Sequence, residues 1–314
     1  MKRLFSVGIN EFKDPSATLH GCVNDVANIR QLLVSSHLGF DPKDVRLLCD
    51  KRATRLNIFE RLDWCTRDWP AHTQPSQDFL VANFSCHGSQ VVDRDGDEKL
   101  SDNQDEVLCP YDFPELWDSP KDAPDAIGCG KILGSPPKPQ ICDDDLAVFL
   151  KRIPKGVYTV LIVDACHAGS ISKGVNPPHY TRKAKFIPAP FDIKSRGLDR
   201  SLFTRLFGVK PHMPVVKTGN PDVHYIEQNH ILLSGCRDDQ TSADAMIGGA
   251  AQGAMTWSFM LALKDLGWPG PKTPTWLEVH AKMLSVLKDG DYPQVPQLTG
   301  PQEWLEAPIF GVKA

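Results

Sequence analysis

A histidine and a cysteine lie in short glycine-containing turns, each directly after an apolar stretch of the sequence. The stretch 79–84 leads into a turn with His87 and Gly88, and the stretch 157–163 leads into a turn with Cys166. A thiol becomes an efficient nucleophile when a neighbouring base takes its proton. The carboxyl ends of adjacent parallel strands meet at one edge of a sheet, where ligand sites form. If the two stretches are adjacent strands, Cys166 and His87 face one crevice, and the pattern predicts thiol-based nucleophilic catalysis.

The same turns offer backbone amides. The N–H groups of Gly88 and Cys166 are predicted to hold a developing oxyanion. Each residue alone has a plainer interpretation, because a cysteine at a strand end is commonly a small core residue and a turn histidine is commonly a satisfied polar group. His167 adjoins Cys166, so its side chain points elsewhere and it is a poor base. The two matching turns together favour the catalytic interpretation.

Five short apolar runs are predicted to be buried strands, and helical patterns separate them. Continuous runs of Val, Ile, Leu and Phe are typical of parallel strands covered on both faces. The alternation predicts an α/β fold with a doubly wound, mostly parallel sheet flanked by helices on both faces. The predicted strands are 4–9, 45–48, 79–84, 157–163 and 231–233, and the predicted helices cover 22–33, 56–62, 146–150 and a segment opened by Thr273-Pro274 and closed by Gly290.

Two segments of opposite charge interrupt this alternation. Residues 91–145 contain 15 acidic and 5 basic side chains, whereas residues 173–217 contain 10 basic and 2 acidic ones and six prolines. A long connection without periodicity is usually functional or mobile, although a solvated surface loop is the plainer interpretation. We divide the chain into a part at 1–172, a basic connector at 173–228 and a part at 229–314, which together form one domain.

Several motifs resemble metacaspases, a group of caspase-like cysteine peptidases. The two turns match the catalytic motifs of that family, SCHG at 85–88 and DACHAGS at 164–170. Further matches follow in the family's order along nearly the whole chain. They are LHGCVND at 19–25, CPYD at 109–112, ICDDD at 141–145, SGCRDDQTSAD at 234–244 and QVPQL at 294–298. The resemblance implies a caspase-like fold, in which 1–172 corresponds to the large (p20) part and 229–314 to the small (p10) part.

The resemblance also implies an endopeptidase that cleaves after Arg or Lys with a Cys166/His87 dyad. Two carboxylates in a pocket suit a guanidinium or an ammonium group. Asp25 also has a plainer interpretation, as an acidic residue that the macrodipole favours at the start of a helix. By position in the family, the residues of the pocket are Cys22, Asp25, Ser85 and Asp164.

Many metacaspases need calcium, and the resemblance places carboxylates of that site on Asp105, Asp143 and Asp144. Hard oxygen ligands suit Ca²⁺. A fourth position of the family falls on Lys173, which is no ligand and puts the requirement for calcium in question. The aspartates at 143–145 have a second interpretation, as caps of a helix that begins near Leu146.

The basic connector is the predicted place of self-cleavage. Its prolines and weak periodicity predict a protruding segment, and a protease cuts backbone that is exposed and extended. The connector also offers the basic side chains that an acidic pocket selects. The candidate positions are Lys173, Arg182, Lys183 and Lys185.

Three features depart from the pattern of the family. Cys86 stands where the family has a glycine before the histidine, and residues 114–139 form an insertion that we expect to be a flap beside the cleft. We also expect the chain to be a catalytic core without a prodomain.

Composition limits the remaining classes of protein. A net charge of −4 argues against a protein devoted to nucleic acid or anionic lipid, although the connector keeps nucleic-acid binding as a minor alternative. Nine cysteines without a Cys-x-x-Cys pair disfavour a disulfide framework and a zinc site and favour the cytoplasm. No apolar run is long enough for a bilayer, so we expect no membrane association. We expect a monomer that acts on proteins or peptides with a basic residue before the cleaved bond. The alternative is a caspase-like signalling or scaffold protein with little turnover.

Overall fold

The structure is a computed structural model of the 314-residue chain. It describes residues 1–35, 38–75, 77–92, 104–113, 141–166, 182–187, 216–217, 220–227, 229–237 and 240–311. The predicted insertion at 114–139, His167 and Lys173 lie outside the described residues, as does most of the basic connector.

Fourteen strands and six α-helices occur in the described part of the chain. The strands are β1 (Lys2–Gly8), β2 (Val45–Cys49), β3 (Phe79–Ser85), β4 (Gly88–Val92), β5 (Gln104–Leu108), β6 (Ile141–Cys142), β7 (Tyr158–Asp164), β8 (Arg182–Ala184), β9 (Val216–Lys217), β10 (Val223–Tyr225), β11 (His230–Ser234), β12 (Ala243–Ile247), β13 (Ala250–Gly253) and β14 (Gln297–Gly300). The helices are α1 (Cys22–Ser35), α2 (Arg55–Thr66), α3 (Asp143–Lys151), α4 (Ala254–Asp265), α5 (Trp276–Asp289) and α6 (Gln302–Leu305).

A central sheet carries eight of these strands in the order β2-β1-β3-β7-β11-β14-β10-β9. The five strands from β2 to β11 are mutually parallel, β14 runs antiparallel to β11, and β10 is parallel to β14. Every residue of β3 and β7 is buried, which explains why their sequences are apolar runs without alternation. The predicted mostly parallel α/β sheet is confirmed, and the five predicted strands are found with ends shifted by one or two residues.

Helices cover both faces of this sheet. On one face, Phe59 of α2 and Phe149 of α3 pack in one apolar cluster with Phe5 and Phe84 of the strands. On the other face, α1, α4 and α5 supply Ile29, Phe259 and Trp276 to a second cluster. The alternating side chains of β1 show the division, since Leu4 belongs to the second cluster and Phe5 to the first.

Two smaller three-stranded sheets flank the carboxyl ends of the central strands. One has the order β4-β5-β6, and the other has the order β13-β12-β8. The β12–β13 hairpin turns at Gly248 and Gly249, whose φ angles of 61° and 86° lie in the left-handed region that favours glycine. Both sheets border the turns that carry His87 and Cys166.

Two predicted helix starts are wrong by a few residues. The last long helix, α5, begins at Trp276 and not at Thr273-Pro274, because Thr275 caps it in a reciprocal pair of hydrogen bonds with Glu278. Helix α3 begins at Asp143 and not near Leu146. The three aspartates therefore form its first turn, where the helix dipole favours negative charge.

The sequence did not predict α4, α6 or the strands β4–β6, β8–β10 and β12–β14. Helix α4 is apolar around most of its surface, so its sequence lacks a clear helical period. The missed strands are short and rich in small or polar residues. No helix among the described residues is both long and apolar enough to cross a membrane.

Candidate active site

His87 and Cys166 are predicted to lie at one edge of the sheet, and the pairing of β3 with β7 decides whether they do. The two strands are adjacent and parallel, and Ser85 pairs with Asp164 at their carboxyl ends. His87 follows Ser85 by two residues, and Cys166 follows Asp164 by two residues, so both emerge at the same edge of the sheet. Both side chains are buried.

A segment of the basic connector lies across this edge. Residues Arg182–Ala184 form β8, which pairs antiparallel with β12. The pairing continues where the Lys185 amide donates to the carbonyl of Ser242 at 3.0 Å, and beyond it the Ile187 amide donates to the carbonyl of Gly88 at 3.0 Å. The segment 182–187 thus runs extended between β12 and the start of β4. The expectation of a protruding connector is wrong for these residues, because backbone pairing on both sides docks them in the cleft.

The carbonyl oxygen of Lys185 lies on the two amides that the sequence nominates for an oxyanion. The Gly88 N–H donates to it at 2.9 Å, and the Cys166 N–H donates to it at 3.2 Å. Two converging donors polarise a carbonyl and stabilise the negative charge that develops when a nucleophile adds to it. The Lys185–Phe186 peptide bond is the bond that this arrangement presents to Cys166.

The Lys185 side chain enters a closed polar pocket on the other side of the strand ends. Its ammonium nitrogen lies 3.1 Å from Asp25 Oδ2, 3.1 Å from Asp164 Oδ1 and 2.9 Å from Ser85 Oγ. The side chain of Lys185 is completely buried. Burial opposes its charge, but Asp164, the Cys22 thiol, Asp25 and Asp244 outweigh that effect and hold the pKa of Lys185 well above its usual value. The structure therefore brings the four predicted pocket residues together around one lysine.

Backbone and hydroxyl donors fix the two carboxylates at the N-terminus of α4. Asp25 accepts from the Gly253 amide at 2.9 Å and from Ser85 Oγ at 2.6 Å. Asp164 accepts from Ser242 Oγ at 2.6 Å and from Thr256, through its amide at 3.1 Å and its hydroxyl at 2.8 Å. Bonds of this kind stabilise buried carboxylates in the charged form. Burial nevertheless raises the pKa of Asp25 to about 6, Lys185 opposes this rise, and the charge of Asp164 adds to it.

Gly253 closes the pocket at a place where no other residue fits. A Cβ on Gly253 would overlap Asp164 Oδ2, Lys185 Nζ and Asp25 Oδ2. The glycine therefore allows the α4 N-terminus to approach both carboxylates and the bound ammonium group at once.

The imidazole of His87 is oriented by a backbone carbonyl. Its Nε2 lies 2.6 Å from the carbonyl oxygen of Ala17. Because a carbonyl only accepts hydrogen bonds, we assign the proton to Nε2, which leaves Nδ1 as the acceptor. Nδ1 is buried and has no hydrogen-bond partner among the described residues. Burial lowers the pKa of His87 to about 4, with the backbones of Ala17 and Lys185 opposing, so the ring is a neutral base near pH 7.

The thiol of Cys166 is hydrogen-bonded to the backbone of Ser242 rather than to His87. Sγ accepts from the Ser242 amide at 2.5 Å and donates to the Ser242 carbonyl at 3.1 Å. The structure thus brings the thiol and the imidazole to one edge without a direct hydrogen bond between them. Catalytic hydrogen bonds are often absent before the reacting state forms.

Several residues that build the site escaped the sequence analysis. Asp244 accepts from the His20 amide at 2.7 Å and from the Gly21 amide at 2.8 Å, which ties the loop before α1 to β12. Asp244 and Ser242 lie in a motif that the resemblance includes, so their position was marked but not their role. The contributions of Ala17 and Gly253 come from backbone atoms, which residue types do not reveal.

The three predicted calcium ligands lie on neighbouring elements. Asp105 belongs to β5, and Asp143 and Asp144 open α3 directly after β6, which pairs with β5. Their side chains lie outside the described residues. In the part of the chain that the structure describes, no group of three or more His, Cys, Asp or Glu side chains is placed to hold a metal ion.

A sequence profile of the Caspase domain, peptidase family C14, matches residues 2–302. The chain belongs to the caspase-domain family. Metacaspase-1 of Scheffersomyces stipitis is 29% identical over 95% of this caspase-domain chain and 70% of its own length. Metacaspase-1A of Neurospora crassa is 30% identical over 95% of the chain and 62% of its own length. The chain therefore spans between 62% and 70% of the length of these relatives, and the resemblance to metacaspases is confirmed.

A solved structure of a bacterial protein supports the fold. Protein GSU0716 from Geobacter sulfurreducens superposes with a TM-score of 0.61 at 20% identity, covering 100% of this chain and 99% of its own. Membership of the caspase-domain family and the metacaspase relatives assign the protein to the cysteine-type peptidases, as the sequence predicted.

Proposed function

We propose that this caspase-domain protein is a cysteine endopeptidase that cleaves after Lys or Arg and that cuts its own chain after Lys185. The observation that carries the proposal is the position of Lys185. Its ammonium group lies between Asp25 and Asp164, and its carbonyl oxygen lies on the amides of Gly88 and Cys166. One residue thus meets both the groups that select a basic side chain and the groups that activate the following peptide bond.

The chemistry that we propose uses groups at the edge of the sheet where this bond lies. Sγ of Cys166 attacks the carbonyl carbon of Lys185, and its proton passes to Nδ1 of His87. The amides of Gly88 and Cys166 stabilise the oxyanion. His87 then gives the proton to the nitrogen of Phe186, the peptide bond breaks, and a thioester to Lys185 remains. Water, deprotonated by His87, hydrolyses this thioester and restores the thiol.

The hydrogen bonds of the thiol indicate a state before reaction. Sγ is hydrogen-bonded to the amide and the carbonyl of Ser242. These hydrogen bonds must break before Sγ can attack the carbonyl carbon of Lys185. In this state the segment 182–187 fills the cleft and excludes other substrates. We propose that cleavage after Lys185 frees the cleft.

Lys185 is favoured over the other candidates for self-cleavage. The side chains of Arg182 and Lys183 reach backbone carbonyls elsewhere, namely those of Asp291 for Arg182 and of Ser16 and Thr18 for Lys183. Lys173 lies outside the described residues. The described contacts thus support cleavage between Lys185 and Phe186.

We further propose that calcium on Asp105, Asp143 and Asp144 stimulates the enzyme. These residues lie on β5 and at the start of α3, and β5 pairs with β4. Strand β4 begins at Gly88, whose amide touches the Lys185 carbonyl. A cation that joins β5 to α3 would thus stiffen the sheet that positions Gly88. Carboxylates suit Ca²⁺, but Lys173 removes one family ligand and weakens the expected site.

We also propose the class of substrate, the oligomeric state and the location of the enzyme. A cleft that binds an extended segment through backbone pairing suits protein and peptide substrates with a basic residue before the cleaved bond. Seven cysteines have side chains that the structure describes, and all seven are free thiols, which supports a reducing compartment such as the cytoplasm. We propose that the enzyme acts as a monomer.

Fluorogenic peptides that differ only in their last residue test the proposed activity. The wild type should release the reporter after Lys and Arg but not after Asp, and Cys166→Ala should release none. Cys49→Ala, which removes a half-buried thiol from β2, is the matched control and should retain activity. Faster release after Asp, or turnover by Cys166→Ala, would contradict the proposed specificity or the nucleophile.

A further inference from the structure

The segment that occupies the cleft makes a second cationic contact, three residues before Lys185. The guanidinium of Arg182 lies over the ring of Tyr292, 4.3 Å from its centre. The same group donates to the carbonyl oxygen of Asp291 at 2.7 Å and to that of Gly290 at 3.3 Å. One aromatic face and two carbonyl oxygens therefore surround a single guanidinium.

These groups belong to the fixed end of α5. The amides of Gly290, Asp291 and Tyr292 donate back to carbonyls of the last helical turn, which sets the direction of the chain beyond Asp289. Asp291 has a φ of 57°, so the chain turns sharply there. The carbonyls at the C-terminus of a helix carry partial negative charge and favour cations. The ring of Tyr292 packs against Trp257 of α4, with 5.8 Å between the ring centres.

The pairing of β8 with β12 determines which side chain reaches this place. Successive side chains of a strand point to opposite sides. Lys185 enters the acidic pocket, and Lys183, on the same side, reaches the carbonyls of Ser16 and Thr18 at 2.9 and 2.7 Å. Arg182 lies on the other side and meets the end of α5, while Ala184 is exposed.

We propose that Gly290, Asp291 and Tyr292 form a binding subsite for an arginine located three residues before the basic residue at the cleaved bond of a substrate. The inference rests on the proposed function, because it treats 182–187 as a guide to how other substrates bind. Arginine should be preferred to lysine here, because a planar guanidinium can stack on the ring while donating sideways to two carbonyls, whereas an ammonium is a compact point charge. The subsite extends recognition from one basic residue to two at a fixed spacing.

Three acetylated reporter peptides test the subsite with the self-processed full chain. They share the sequence Ala-Ala-Lys before the fluorogenic amide and carry Arg, Lys or Ala in front of it. The measured quantity is the ratio of kcat/KM between two peptides within one preparation, which does not depend on the fraction of active enzyme. The variants are Tyr292→Ala and, as the matched control that keeps the ring, Tyr292→Phe.

The wild type should cleave the Arg peptide about fivefold faster than the Ala peptide, as a cation–π contact with partial exposure allows, and faster than the Lys peptide. Tyr292→Ala should bring the Arg/Ala ratio to about one, with the Ala peptide showing that the variant is folded and active, and Tyr292→Phe should keep the preference. Equal cleavage of all three peptides by the wild type, or an Arg/Ala ratio unchanged by Tyr292→Ala, would overturn the subsite while leaving cleavage after lysine intact. If no peptide ending in Lys is cleaved, the proposed function fails and the subsite fails with it.

Discussion

Lys185 makes two contacts at the carboxyl end of β7, one through its side chain and one through its backbone carbonyl. Its ammonium group lies 3.1 Å from Asp164, the last residue of β7, and its carbonyl oxygen accepts from the amide of Cys166 two residues later. The exit of one strand therefore supplies both a group that selects a basic side chain and the residue that would attack the next bond. A basic side chain seated in the pocket therefore has its own carbonyl on the amides.

Removing one pocket carboxylate should greatly weaken the selection of basic residues. In Asp25→Asn, the buried ammonium group loses one of its two ion-pair partners and keeps Asp164. Breaking a buried ion pair costs about 3 kcal/mol or more, so kcat/KM for Lys and Arg peptides should fall at least ~100-fold. Steady-state assays measure this loss, and Glu60→Gln, which changes an exposed carboxylate on α2, is the control. A variant with nearly normal kcat/KM would show that Asp25 does not bind the substrate.

Gly253→Ala should close the pocket by steric overlap. The new methyl group would occupy the space of the bound ammonium and of both carboxylate oxygens, so peptides ending in Lys or Arg should lose most of their kcat/KM. Gly267→Ala is the matched control. It places a methyl group in open space at a φ of 74°, which strains the backbone without touching the cleft.

Thermal unfolding should be measured beside activity for both glycine variants. Loss of stability alone should affect the two proteins alike. Loss of activity confined to Gly253→Ala supports the pocket, and equal activity in the two variants contradicts it.

The acid limb of the pH profile should follow Asp25. Burial raises the pKa of Asp25 to about 6, so lowering the pH through this value adds a proton and removes one negative charge from the pocket. We expect kcat/KM for Lys peptides to fall below about pH 6. Burial lowers the pKa of His87 to about 4, so His87 stays neutral to about pH 5 and kcat at saturation should change less. A kcat/KM that stays constant down to about pH 5 would be inconsistent with a titrating Asp25.

Calcium should increase turnover through the β4-β5-β6 sheet. We expect chelation to slow peptide cleavage several-fold and Asp144→Asn to reduce the response to added calcium. Asp41→Asn is a suitable control, because Asp41 is exposed and precedes β2, at the amino ends of the parallel strands of the central sheet. If neither chelator nor added calcium changes the activity, the calcium proposal is wrong, and Asp143 and Asp144 serve only as the acidic first turn of α3.

The sequence predicts where the site lies in the fold, but it does not predict that Lys185 occupies the site. The apolar runs of β3 and β7 mark adjacent buried strands, and the turns after them carry His87 and Cys166, so both the sheet and its functional edge can be anticipated. The docking of Lys185 cannot be anticipated from the sequence, because it depends on pairing between β8 and β12. These strands are short and rich in charged or small residues, and their stability comes from each other and from the pocket.

Backbone contributions are hidden from the sequence for a different reason. The carbonyl of Ala17 and the amide of Gly253 belong to atoms that every residue has, and only the fold decides which of them face the site. Prolines and scattered charges in the connector indicate that it packs weakly against itself. They do not reveal that its segment 182–187 binds to another part of the same chain.

The mass of the full-length protein over time tests the central claim most directly. Incubated wild type should yield two fragments that meet between Lys185 and Phe186, and Lys183→Gln, the matched control, should yield the same pair. Cys166→Ala should stay intact, and Lys185→Gln should lose this cut. A Cys166→Ala protein cut at the same bond, or a wild type that hydrolyses lysine peptides while its own 185–186 bond stays whole, would contradict the account.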